Sequence, residues 1–124
     1  MSRAGVHVLL VDDHPQGIEA LDMRLRSLGH RTIVATNGEV ALAIVEKDKP
    51  AVVVLDITMP EVNGYQACRA IKRIDPAIVV IMLTAKREPA DRFWARQAGA
   101  DDYLNKPIDP ALVVQRIASL LEAR

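Results

Sequence analysis

The sequence predicts an α/β fold, with a parallel sheet covered by helices on both faces. Three observations carry that reading. Short β-branched apolar runs alternate with stretches of helical period along all 124 residues. The connections between them are short, which suits strands joined by helical crossovers. The strands read as nearly continuous apolar runs rather than in-out alternation, as strands buried on both faces do. At 13.6 kDa and 50% hydrophobic residues, the chain suits one packed domain over 1–124.

The elements follow in order. VHVLLV (6–11) is the first strand. Ile18, Leu21, Leu25 and Leu28 recur at helical spacing, and Gly29 supplies a stop. TIVA (32–35) is the second strand. Asn37 can cap a helix whose apolar stripe is Val40, Ala43 and Ile44. AVVVLD (51–56) is the third strand, and Asn63-Gly64 opens a helix over Tyr65 to Ile74. AIVVIMLT (77–84) is the fourth strand. Ala90, Phe93, Trp94, Gln97 and Ala98 share one face of the next helix, closed by Gly99. Phe93 and Trp94 are adjacent and so point about 100° apart, which lets one pack inward and leaves the other partly exposed. DDYLN (101–105) is a short fifth strand, and Pro110 starts a last helix bearing Leu112, Val113, Ile117 and Leu120.

Charge and cysteine usage narrow the function. Lys and Arg total 16, as do Asp and Glu, which argues against an electrostatic grip on nucleic acid or an anionic membrane. Cys68 is the only cysteine, so no intrachain disulfide forms and a reducing compartment fits. It shares a helical face with Ile71 and reads as a small core residue. No stretch approaches the roughly 20 apolar residues that span a bilayer, and the N-terminus does not read as a signal peptide. A cytoplasmic location is expected.

In open parallel sheets the site lies at the carboxyl ends of the strands. After the first strand stand Asp12 and Asp13, after the third Asp56, after the fourth Thr84, and after the fifth Lys106, followed by Pro107. Three carboxylates in one cleft repel each other unless a cation offsets them. Oxygen ligands of this type suit Mg²⁺. A Lys and a hydroxyl facing the acids suit a phosphoryl group. Together the residues read as metal, phosphoryl group and carboxylate nucleophile. His14 follows two acids, but as a nitrogen donor it suits solvent better than Mg²⁺, while His7 and His30 read as structural or surface residues.

The segments LLVDDH, VVVLDITMPEVNG, VVIMLTA and GADDYLNKPI, in this order and spacing, resemble the response-regulator receiver domain of two-component signalling, as in stand-alone chemotaxis regulators. The resemblance covers essentially the whole chain. It implies a flavodoxin-like (βα)5 three-layer sandwich, with a five-stranded parallel sheet of order 2-1-3-4-5. It implies that Asp56 is the phosphoacceptor, that Asp12, Asp13, Asp56 and the Thr58 backbone carbonyl hold Mg²⁺, and that Lys106 pairs with the phosphoryl group. Thr84 would be the switch hydroxyl, and Tyr103 the aromatic partner that turns inward after Thr84 moves. The Lys106–Pro107 bond is expected to be cis. A sensor histidine kinase or histidine phosphotransfer protein would supply the phosphoryl group. The surface of the fourth helix, fifth strand and fifth helix would be read by a downstream protein or by a second copy in a phosphorylation-dependent homodimer. The output is a shape rather than a product, so the chain reads as a switch and not an enzyme. Thr58 and Lys86 occupy the positions that tune aspartyl-phosphate lifetime. Neither side chain can position an attacking water as a carboxylate or carboxamide would, so a lifetime of minutes or longer is expected.

Other readings fit less well. A haloacid-dehalogenase-type phosphatase wants a second Asp two residues after the nucleophile, where this chain has Thr58. A flavodoxin-like cofactor binder wants a Ser/Thr/Gly-rich phosphate loop where this chain has DDHPQG. A receiver cut from a longer regulator remains open beside a single-domain protein, which the start MSRAGVHVLL favours slightly. DRFWARQAGADDYLNKP is similar to single-domain regulators of type IV pilus twitching motility. Lys86, Arg87, Arg92 and Arg96 give the region of the fourth helix a basic cast that suits a solvated face or an acidic partner.

Overall fold

The structure, a computed structural model, describes residues 5–56, 64–85 and 89–123. Five strands form one parallel sheet of order β2-β1-β3-β4-β5. They are β1 (His7–Val11), β2 (Arg31–Ala35), β3 (Val52–Asp56), β4 (Val79–Thr84) and β5 (Asp102–Asn105). The helices are α1 (Glu19–Ser27), entered through a 3-10 turn at Pro15–Ile18, then α2 (Gly38–Asp48), α3 (Gly64–Ile74), α4 (Pro89–Gln97) and α5 (Pro110–Glu122). The expected architecture and strand order are the observed ones.

Alternate strand residues feed two core layers. Val8, Leu10, Val52, Val54, Ile81 and Leu83 pack with Leu21 and Leu25 of α1 and with Val113, Ile117 and Leu121 of α5. Leu9, Val11, Val53, Leu55, Val80 and Met82 pack on the other face with α2, α3 and Ala95 of α4. Every residue of β3 and β4 is buried, Asp56 and Thr84 included.

Local chemistry sets the boundaries. Asn37, in extended backbone, accepts a hydrogen bond from the Val40 N–H at 2.9 Å and caps α2. Asp109 caps α5 through the Ala111 N–H at 3.0 Å, just before Pro110. Gly29 and Gly99 follow α1 and α4 with φ of +91° and +97°, the left-handed backbone that glycine adopts at no steric cost. β4 starts two residues later than expected, because Asp75 turns the chain by accepting from the Ala77 N–H at 2.9 Å. One tie links three elements: Lys72 Nζ donates to the Ile78 carbonyl at 2.6 Å and to Asp101 Oδ2 at 2.7 Å. The same Asp101 oxygen accepts from the Val80 N–H at 2.8 Å.

Expected faces are corrected at four helices. α2 buries Ala41 and Val45, while Val40 and Ala43 face solvent and Ile44 is half-buried. Its sequence is apolar on two sides, so the spacing suits either face. Leu28 lies past the end of α1 and is exposed, and Leu112 of α5 is also exposed. The largest correction is α4. Ala90, Phe93, Trp94 and Gln97 form its outer face, and the buried residues are Ala95 and, just past the end of the helix, Ala98. Phe93 and Trp94 are 54% and 53% exposed, so neither packs inward. Their rings meet edge to face at 5.3 Å. Small side chains seat the helix close to the sheet edge and leave the large ones outside.

Cys68 is fully buried in α3, and burial pushes its thiol up to about 12. His30 Nδ1 accepts from the Val6 N–H at 3.1 Å, a structural role, and the His14 side chain is solvent-exposed.

Candidate functional site

The carboxyl ends of the strands bring the predicted residues together. β3 runs through four buried apolar residues into Asp56, which is 3% exposed. A carboxylate so placed needs a partner, since burying an unpaired charge is costly. Lys106 Nζ donates to Asp56 Oδ2 at 2.8 Å. The Lys stands just beyond β5, tied to the end of β4 by its own N–H, which donates to the Thr84 carbonyl at 2.7 Å. The Lys106–Pro107 bond is cis, as expected.

Asp12 and Asp13 come from the end of β1. One carboxylate oxygen from each of Asp12, Asp13 and Asp56 lies within 4.8 Å of the others. Asp12 is 3% exposed, and its Oδ1 accepts from the His14 N–H at 2.8 Å. Burial raises the Asp12 pKa above its ordinary value, and the Asp56 charge adds to the rise. The His14 N–H and the Lys106 charge pull it the other way. The acids therefore resist being charged together, and an added cation would relieve them. Clustered hard oxygen donors suit a small divalent cation such as Mg²⁺, and His14, exposed and 4.0 Å from Asp13, is not needed as a ligand.

Beside the cluster is a cavity of about 280 Å³ lined by Asp12, Gly17, Lys106, Pro107 and Ile108. A Cβ at position 17 would stand 3.2 Å from Asp12 Oδ2, so Gly17 keeps room for that carboxylate. Gly17 and Ile108 carry no reactive group, and no spacing rule flags them in the sequence.

Thr84 is fully buried at the end of β4, and its hydroxyl is hydrogen-bonded to that of Tyr103 on β5. The Tyr103 ring is 5% exposed, already turned inward. The expected inward turn from an outer position is therefore not needed from this starting state. The Arg92 guanidinium lies 5.1 Å from the centre of the ring and covers it from α4. Burial raises the Tyr103 phenol pKa and Asp91 adds to the rise, while the Thr84 hydrogen bond and Arg92 oppose it. Thr58 and Lys86, expected at the metal shell and at the lifetime positions, lie outside the described residues, as do Asn63 and Arg87.

Known proteins resemble this chain in sequence and fold. Residues 8–118 match the family described as the response regulator receiver domain. The chain is 38% identical over 116 residues to protein PilH of Pseudomonas aeruginosa, covering 92% of this chain and 96% of that one. It is 41% identical over 114 residues to the probable transcriptional regulator ycf27 of Porphyra purpurea, covering 92% of this chain and 46% of that one. The chain thus spans about half the length of the ycf27 relatives and nearly all of PilH. Among solved structures, the BeF3-activated receiver domain of DrrB, a Thermotoga maritima protein, superposes with a TM-score of 0.87 at 33% identity, over 95% of this chain and 98% of that one. By the family match, the shared fold and these identities, the chain belongs to the response regulator receiver domains of two-component signalling.

Proposed function

We propose that the chain is a phosphorylation-activated switch in which Asp56 accepts a phosphoryl group. The observation that carries this is the pairing of Lys106 Nζ with Asp56 Oδ2 at 2.8 Å beside the carboxylates of Asp12 and Asp13. Asp12, Asp13 and Asp56 would hold Mg²⁺, with the Thr58 carbonyl as a further ligand. When bound, the ion supplies positive charge to the phosphoryl oxygens.

The chain's own residues do the rest. A carboxylate oxygen of Asp56 attacks phosphorus on the face opposite a phosphohistidine nitrogen of a sensor kinase or histidine phosphotransfer protein. The P–N bond breaks, and its electron pair leaves with the imidazole. Lys106 holds the nucleophile in place and offsets the charge that develops on the phosphoryl oxygens. Thr84 donates a hydrogen bond to a phosphoryl oxygen, and its contact with Tyr103 carries that shift toward α4 and β5. A downstream protein, or a second copy of the chain, reads the altered α4, β5 and α5 surface. Thr58 and Lys86 leave the attacking water unpositioned, which favours a phosphoryl state lasting minutes or longer.

The family's activity is that of a signalling switch, so no small-molecule product is assigned. Among the described residues no helix is long and apolar enough to cross a membrane, and a cytoplasmic place fits the single reduced cysteine. The reading treats residues 1–124 as one receiver domain.

The test is intact-mass analysis after incubation with acetyl phosphate, with and without Mg²⁺, on wild type and Asp56→Asn. A Mg²⁺-dependent gain of one phosphoryl group, absent in the variant, is expected. No gain under any condition would overturn the proposal. Timed decay of the phosphorylated form checks the lifetime, and loss within seconds would contradict it.

A further inference from the structure

The chain has four aromatic side chains, one Phe, one Trp and two Tyr, and all of them meet at α4. Phe93 and Trp94 form its outer face. Tyr65 of α3 donates to the Asp91 carbonyl at 3.4 Å. Tyr103 lies beneath, under Arg92. Beside the Tyr103 ring is a cleft of about 60 Å³, walled by Arg92, Ala95, Arg96, Ala100 and Asp102. The ring therefore has open space next to it, with small side chains along one wall. A phenol with a polar tip can leave such a place for water unless something holds it. Arg92 stands on an exposed stretch of helix, and its guanidinium is laid over the ring instead of extending into solvent. Asp102, the nearby acid, is occupied by Arg116 at 2.9 Å, so it does not draw Arg92 away.

We infer that Arg92 is a positioning residue for the switch pair: stacked on Tyr103, it keeps the ring inward and its hydroxyl on Thr84 before any phosphoryl group arrives. The inference rests on the switch reading proposed above and adds a residue to it. Any partner that engages the Arg92 guanidinium would loosen Tyr103, and any signal that moves Tyr103 would free Arg92 at the surface. A half-exposed cation–π contact favours the inward ring by roughly two- to fivefold.

The test is absorbance titration of the Tyr103 phenol by rapid pH jump, without a phosphoryl donor. It is done in a Tyr65→Phe background, so that one phenol titrates. In that background the midpoint lies above the ordinary tyrosine value, because burial dominates. With Arg92→Ala added, the two possibilities differ in sign. If Arg92 holds the ring, its loss lets the phenol reach water and the midpoint falls, by roughly 0.3 to 0.7 pH unit for a two- to fivefold change. If Arg92 contributes only its nearby charge, its loss leaves Asp91 unopposed and the midpoint rises. A rise, or no change, overturns the inference. Arg92→Lys, which keeps a cation over the ring, is expected to restore the midpoint most of the way, and failure to do so counts against the stack. Should Arg92→Ala not fold, Arg92→Met keeps the stem and runs the same comparison. Because no phosphoryl group is present, the result stands apart from the mass measurement. Failure of phosphorylation would overturn the switch reading, and an unmoved midpoint would overturn Arg92's part in it.

Discussion

β3 and α4 are built on opposite principles within one small domain. All five residues of β3 are buried, down to the carboxylate that ends it. α4 has nine residues and buries Ala95 alone, with two large aromatic side chains half in solvent. Packing density explains the difference in what each can do. A strand enclosed on both faces has little room to shift, so the group at its end is held in place. A helix seated on alanines gives up little contact when it shifts, which is what a responsive surface requires. The charged site belongs to the first kind of region and the proposed partner surface to the second. Thr84 and Tyr103 join them.

That contrast can be broken by mutation. The largest expected effect is Leu55→Ala, next to Asp56 on β3. It should lower unfolding free energy by about 2 to 5 kcal/mol in urea melts, because the cavity it leaves is enclosed on all sides. A loss under about 1 kcal/mol would mean that the sheet relaxes and is not the rigid half of the comparison. Next is Asp12→Asn in metal-free buffer. The Asp12 pKa is raised in the folded chain, so the stability linked to it is complete below the ordinary value of 3.8 and is lost as pH rises through the folded value. The neutral variant escapes that loss. At pH 7 it should be more stable than wild type, seen as a higher Tm, and the gain should vanish toward pH 3.8. Added Mg²⁺ should reverse the order, raising the Tm of wild type and not that of the variant. Equal melting temperatures at pH 7 would show that the acid cluster is not in tension. The smallest effect is expected for Phe93→Ala and Trp94→Ala, each within about 0.5 kcal/mol of wild type. A larger destabilisation would move α4 to the rigid side.

The strands were the most legible part of the sequence, because burial on both faces leaves no ambiguity of period. Gly29, Gly99 and Asn37 were legible for a different reason, since each answers a local backbone need. The site was legible through topology: Asp12, Asp13, Asp56, Thr84 and Lys106 each follow a strand, and parallel strands end on one edge. What could not be read was which side of a short helix faces in. At α4 the seat is made by Ala95 and by Ala98 just past the end of the helix, while the eye is drawn to Phe93 and Trp94. In α2, Ala41 and Val45 compete with Val40 and Ile44 at equally good spacing. The Lys72–Asp101 tie joins residues 29 apart in the chain, and no periodicity announces it. The inward setting of Tyr103 depends on Arg92 from another element, which sequence spacing does not encode.

Cys68 has a practical consequence. With a thiol pushed up to about 12, only on the order of one molecule in 10⁵ carries the thiolate at pH 7. Oxidants and maleimides act on the thiolate and need access to it, and this one is fully buried. The native chain is therefore chemically silent toward thiol reagents. A cysteine introduced on the outer face of α4 could carry a spin label or fluorophore without first removing the natural one, and motion of that helix could be followed in an otherwise unaltered chain.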